Sequence, residues 1–185
     1  MNKTILVLFL LSSSYSFSQN CEAINKMSYY KGIGLGYPLD ISLKDDFKKG
    51  AQSKDTILYG IWRLSFVENE AKFKKYNEMC QWGNYFNWIY ILTGGWNESI
   101  ISYWFQTSRD VKSKEEAEQM GFDFMSDVIT DLKKKFGSVK NYHGFDANGK
   151  RYEYAIWECN MIKIRLQQEY TDKNWLCFLK ITSAK

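Results

Sequence analysis

Apolar residues recur along this 185-residue chain with two different periods. Alternation of period two marks half-buried strands, and spacing by three and four marks a helix with one buried face. The longest helical stripe is Ala117, Phe124, Val128, Leu132 and Phe136. Ser113 and Glu116 stand at capping-box spacing ahead of it. Glu115, Glu116 and Glu118 occupy the positive end of the helix dipole, and Lys133, Lys134 and Lys135 the negative end. Gly137 follows as a stop. The spacing predicts a helix over Lys114–Phe136. Gly121 is its weak position, costing about 1 kcal/mol relative to alanine unless something packs closely there.

Strand-period patterns follow the helix. Around a turn at Asp146–Lys150, after a loop carrying His143, three strands are predicted near Arg151–Glu158, Met161–Tyr170 and Asn174–Thr182. The middle strand alternates strictly: Ile162, Ile164 and Leu166 point one way, Lys163, Arg165, Gln167 and Glu169 the other. A two-residue turn at Cys159–Asn160 sets Trp157 opposite Ile162 and Ala155 opposite Ile164. A turn at Asp172–Lys173 sets Leu179 opposite Leu166 and Ile181 opposite Ile164. Opposed residues share a face, so both turns place apolar beside apolar, and the helix stripe is expected to cover that face.

The N-terminal half reads less regularly. Tyr29, Tyr30 and Lys31 begin a strand that Gly32, Gly34 and Gly36 interrupt. Ser42 caps a short helix near Leu43–Lys49 that ends at Gly50. Ile57–Val67 alternates as a strand, with Leu58, Trp62, Leu64 and Phe66 on one face and Tyr59, Arg63 and Ser65 on the other. Glu70–Cys80 is charged and ambiguous, read as a short helix. Tyr85–Thr93 and Glu98–Thr107 are two strands joined by a turn at Gly94–Gly95. The expected fold is α+β: antiparallel strands in two groups flanking one long amphipathic helix, ending in a three-stranded meander.

The first eighteen residues follow a different logic. Lys3 precedes the apolar run Ile5–Leu11, and Ser16 and Ser18 are small residues at −3 and −1 of a cut before Gln19. This is the pattern of a secretory signal peptide. The apolar run falls short of the roughly 20 residues needed to span a bilayer. Residues 1–18 are therefore read as a signal peptide and 19–185 as a single domain, exported to the periplasm or the medium. The formal charge of +4 loses one unit with Lys3 and is interspersed in sign, which argues against nucleic acid as a partner. One proline and abundant aromatics exclude the disordered classes.

Export makes disulfides the expected state of Cys21, Cys80, Cys159 and Cys177. The meander places Cys159 in the first turn and Cys177 opposite Gln168, about eight residues away or roughly 25 Å at strand rise. That is far beyond the roughly 7 Å a disulfide spans between Cα atoms. Two connectivities remain: Cys21–Cys177 with Cys80–Cys159, or Cys21–Cys159 with Cys80–Cys177. The alternative for Cys177 is a buried free thiol.

Catalytic groups are sparse. His143 is the single histidine, so any Ser-His-Asp or Cys-His set depends on it. No closely spaced Cys and His pairs suggest zinc. Gly32-Ile-Gly34-Leu-Gly36 lacks the spacing and lysine of a phosphate loop. Asp40, Asp45, Asp46, Glu68, Glu70, Asp123 and Asp127 are carboxylates that a saccharide hydrolase could draw on. However, Asp123 and Asp127 share the helix face opposite the apolar stripe. Asn97-Glu98-Ser99 matches a glycosylation acceptor. No cofactor is implied.

The outward face of the meander carries the most unusual composition. Tyr154, Lys163, Arg165, Phe178 and Lys180 fall there, with Ile156, Tyr152 and Leu176 around them. A solvated face is normally more uniformly polar, and Tyr and Arg are favoured at binding surfaces. The expected function is a non-catalytic binding module that docks a protein or envelope component through this face. An inhibitor or immunity-type protein against a secreted enzyme is the alternative, and a carboxylate-dependent saccharide hydrolase a third. The competing expectation for the face is that the N-terminal strands cover it. Trp62, Trp82, Trp88, Trp96 and Trp104 are either core or groove-lining.

Overall fold

The computed structural model describes residues 18–40, 48–53, 55–60, 82, 85–145, 151–170 and 173–184, with the side chains of 48, 140–145 and 151–154 outside the description. The signal-peptide pattern in residues 1–17, the Ser42 cap, the outer part of the Ile57–Val67 strand, the Glu70–Cys80 segment, Asp45, Asp46, Glu68, Glu70 and Trp62 lie outside the described residues.

Helix α1 (Cys21–Asn25) opens the described chain, capped by Asn20, whose side chain accepts from the Ala23 N–H. A 3₁₀ turn over Lys26–Ser28 leads into the small hairpin β1 (Tyr29–Tyr30) and β2 (Ile33–Gly34). Then come β3 (Lys48–Gln52), β4 (Thr56–Gly60), β5 (Trp88–Gly94) and β6 (Ser99–Asp110). Helix α2 spans Lys114–Phe136. The chain closes with β7 (Lys140–Phe145), β8 (Arg151–Cys159), β9 (Ile162–Tyr170) and β10 (Asn174–Ser183).

All strands from β3 onward belong to one antiparallel sheet in the order β3-β4-β5-β6-β10-β9-β8-β7. Each group of strands is an up-and-down run that ends at the middle of the sheet. The long seam between β6 and β10 joins them, from Asn174 opposite Asp110 to Thr182 opposite Ser102. α2 carries the chain from the central strand β6 to the far edge at β7, and so it crosses one face. α2 buries Ala117, Gly121, Met125, Val128, Leu132 and Phe136. α1 and the β1–β2 hairpin join it on that face. The buried Tyr103 hydroxyl donates to the Met27 carbonyl, and Phe105 meets the Tyr30 ring edge-on. The core lies between these elements and the sheet's inner residues, including Ile91, Ile164, Leu166, Leu179 and Ile181.

The helix ends where its sequence signals place them. The Glu116 N–H donates to Ser113 Oγ at 3.2 Å, and the Glu116 carboxylate accepts from the Lys112 N–H at 2.7 Å. Gly137 sits at φ +80, and a Cβ there would lie 2.4 Å from the Ser18 carbonyl oxygen. The close approach lets Gln19 bridge to Gly137 and the Asn20 N–H reach the Phe136 carbonyl.

Four expectations need correction. Lys48–Gln52 is strand, not the end of a helix stopped at Gly50, because its backbone pairs with β4 across a register shift. His143 lies in strand β7, backbone-paired with Glu153, and not in a loop. The C-terminal run therefore has four strands. The first turn is Asn160–Met161, since Cys159 pairs with Ile162, Trp157 with Ile164 and Ala155 with Leu166. The slip is two residues, so the described side chains of β8 and β9 keep their expected faces. It buries Cys159 and leaves Met161 exposed at the turn. Finally, Cys177 is a free, buried thiol. The β9–β10 register stands as expected, with Leu179 opposite Leu166 and Cys177 opposite Gln168.

Cys21 and Cys159 form a disulfide that ties α1 to the end of β8. Of the two open connectivities, this is the half that can form. Cys159 is on the inner face, where α1 packs, while Cys177 lies against Met125 of α2, its Sγ 4.0 Å from the Met125 Sδ. Cys80 is outside the described residues.

Candidate binding face

The strand registers bring the residues of the outer face together in rows. One row crosses the seam: Tyr90 opposite Trp104, Trp104 opposite Lys180, Lys180 opposite Arg165 and Arg165 opposite Ile156. The next row holds Trp88, Gln106, Phe178, Gln167 and the backbone position of Tyr154. A third contains Leu92, Ser102, Thr182, Lys163 and Glu158. Trp88, Tyr90, Trp104, Ile156, Lys163, Arg165, Phe178 and Lys180 are all part-exposed. Alternation puts these side chains outward because their neighbours along each strand point into the core.

The described N-terminal strands do not lie over this face. β3–β6 continue the sheet sideways, so β5 and β6 enlarge the face instead of covering it. The expected column of cations and aromatics thus extends across the seam into Trp104 and Tyr90. Their rings stack with centroids 5.3 Å apart and planes 16° from parallel. The Lys180 ammonium lies 5.6 Å from the Trp104 ring centre, a cation–π geometry that fixes the lysine over apolar surface. Burial pushes the Tyr90 hydroxyl above its ordinary pKa. Lys163 pairs with Glu158 at 3.4 Å.

The sequence-predicted residues are therefore split by register. Lys180 and Arg165 are cross-strand neighbours, and Phe178 faces Gln167 one row away. Tyr154 faces Gln167, not Arg165, after the two-residue slip. Lys163 is a row further out, beside Thr182. Trp104 and Tyr90 belong to the same face and were missed as members of it. The alternation within β6 marks Trp104 as facing away from Tyr103 and Phe105, but only the β6–β10 pairing shows that it neighbours Lys180.

The other tryptophans divide by position. Trp82 is half-buried against the core: it packs on Phe105 and Phe136, with the Lys135 ammonium 4.2 Å from its ring centre. Trp96 is fully exposed at the β5–β6 turn. Among the carboxylates, Asp40, Asp123 and Asp127 are exposed. Among the described residues no cluster of His, Cys, Asp and Glu is arranged to hold a metal ion, and no helix is long and apolar enough to cross a membrane. Comparison with protein-family models, with curated proteins and with solved structures finds no match to this chain.

Proposed function

We propose that the chain is an exported, non-catalytic binding module that docks a protein or cell-envelope component through the outer face of its sheet. The observation that carries this reading is the asymmetry of the sheet. α1, the β1–β2 hairpin and α2 all pack on the inner face. The outer face presents a stacked Tyr90–Trp104 pair, Lys180, Arg165 and Phe178 in adjoining rows. Aromatic side chains beside an arginine suit anchors in a partner's pockets. Lys180 held over Trp104 is already partly ordered, which lowers the entropy lost on binding. Export is supported by the n-region, apolar run and small-residue cut before Gln19, and by the Cys21–Cys159 disulfide, a bond that persists in oxidising compartments.

Affinity capture from the native envelope and medium tests it, using the oxidised chain from Gln19 onward as bait beside a Trp104→Ala, Lys180→Glu double variant. The expected result is a component retained by the parent and lost with the variant, while both baits show the same circular dichroism and thermal midpoint. Identical retention by two equally folded baits would overturn the reading.

A further inference from the structure

A cleft of about 350 Å³ opens at one end of the sheet, away from the Lys180–Arg165 row. It is built by two turns held side by side. β4 pairs with β5 so that Thr56 faces Gly94, which sets the β3–β4 turn beside the β5–β6 turn. Gly94 makes the approach possible: a Cβ there would lie 2.4 Å from Ile101 Cδ1 and 3.1 Å from the Asp55 carbonyl oxygen. The Gly95 N–H donates to that same carbonyl.

The walls carry complementary chemistry. Ser53, Asp55 and Thr56 line one side, and Trp96 and Glu98 the other. Ser53 Oγ and Thr56 Oγ1 are 2.6 Å apart. The floor is rigid, since Thr93 is wholly buried and its hydroxyl donates to the Ile57 carbonyl. Glu98 is fixed in turn: the Tyr59 hydroxyl donates to its Oε2 at 3.0 Å, and its backbone adopts φ +49. Trp96, by contrast, is fully exposed. An indole left in water at the mouth of a polar cleft is a flat apolar surface that no described residue covers.

We propose that this cleft binds a neutral saccharide, one sugar ring stacking on Trp96 and its hydroxyls donating to the carboxylates of Asp55 and Glu98. Sugars present an apolar C–H face and a rim of hydroxyl donors, which an aromatic platform beside charged acceptors matches. Two carboxylates beside hydroxyls among the described lining residues favour a neutral, hydroxyl-bearing ligand over an anionic one. This site is separate from the docking face, so either proposal can fail alone.

The test is an indole N–H correlation spectrum of the oxidised protein titrated with cellohexaose, xylohexaose, mannohexaose and laminarihexaose, with the Trp96 peak assigned from a Trp96→Phe sample. The expected result is a saturable shift of the Trp96 peak with at least one of them at a dissociation constant on the order of millimolar or below. Trp96→Ala is expected to weaken that binding at least about tenfold, Asp55→Ala to weaken it as well, and Trp104→Ala to leave it unchanged. The proposal is overturned if no sugar moves the Trp96 peak or if Trp96→Ala binds as tightly as the parent.

Discussion

Trp175 donates its indole N–H to Gln168 Oε1 at 3.2 Å, and both side chains are wholly buried beneath α2. Gly121 lies directly over the pair. A Cβ at that position would sit 2.5 Å from Gln168 Oε1, 2.7 Å from the Tyr170 hydroxyl and 2.9 Å from Trp175 Nε1. The helix approaches the sheet closely enough to seal a polar contact because residue 121 has no side chain. Phe124, one turn on, closes the other side by meeting Trp175 edge-on at 4.8 Å.

Gly121→Ala should therefore destabilise the fold even though alanine is the better helix former. The propensity gain is about 1 kcal/mol, and forcing a methyl into a filled, hydrogen-bonded site costs about 1–3 kcal/mol, with the buried Gln168–Trp175 bond lost on top if the helix lifts. Urea titration followed by tryptophan fluorescence reads the outcome as a lower midpoint. A midpoint above the parent's would show that the close approach is not a constraint.

The Cys21–Cys159 bond closes a loop across a sequence separation of 138. In the chain-entropy account a loop of that size is worth about 5 kcal/mol as a ceiling, and measured removals run from about 2 to 5 kcal/mol. A Cys21→Ser, Cys159→Ser variant is expected to lose an amount in that range by chemical denaturation. The native contacts of Gln19 and Asn20 with the end of α2 should persist in it, because they are backbone bridges independent of the thiols. An unchanged midpoint would mean that those bridges alone hold the N-terminal segment.

Cys177 is expected to be chemically silent in the native state. It is wholly buried, and burial pushes its thiol well above the ordinary range. The reactive species is the thiolate, so a thiol reagent should modify Cys177 only as fast as the protein opens. In a Cys80→Ser background, reagent uptake by the native protein should be negligible and one equivalent should appear in denaturant. Rapid native labelling at Cys177 would contradict the packing of β10 beneath Met125.

Tyr85 supplies a pH dependence. Its hydroxyl donates to the Asp131 carboxylate, and that bond, with burial and the charges of Asp131 and Asp127, raises its pKa to about 12. A group whose native pKa is raised favours the folded state fully below its unfolded pKa of about 10, and that contribution disappears as pH climbs through the native value. Asp131 is shifted the other way by hydrogen bonds from Lys134 and Tyr85, so its contribution is lost on acidification. Thermal midpoints measured from pH 9 to about pH 12 should fall more steeply for the parent than for Tyr85→Phe. Parallel curves would place the hydroxyl outside the stability of the fold.

Much of this architecture could be read in the chain alone. The Lys114–Phe136 helix has bounds that agree with its capping residues and its terminal charges, since those signals are local. The β9–β10 register agrees because a short turn and strict alternation leave one pairing that keeps apolar residues together. The β8–β9 turn lies one residue later than the pattern predicts, which slips the register by two. Alternation fixes only which face a residue takes and is blind to a slip of two. The pairing of Cys159 with Ile162 settles the register, and it sets Cys159 on the inner face within reach of Cys21, a partner 138 residues away in sequence. β7 was missed because an edge strand has one neighbour and weak patterning, so its Tyr-His-Gly segment reads as a loop.

The outer face and the cleft lie at the limit of what local pattern can carry. Lys163, Arg165 and Lys180 were legible as outward residues from alternation. Their alignment with Trp104 and Tyr90 depends on β6 pairing with β10, a contact across the whole length of α2 that no periodicity encodes. Asp55 and Glu98 belong to separate turns and share a cleft only because β4 pairs with β5. Local pattern was enough for the long helix, for strands β5, β6 and β8–β10 and for which side of each is apolar, because those depend on neighbours a few residues away; it failed for β3 and β7 at the two sheet edges. Which strands meet, whether the second group stacks on the sheet or extends it, and that Cys21 bonds Cys159 depend on the packed chain, because each is a choice among long-range contacts of similar local cost.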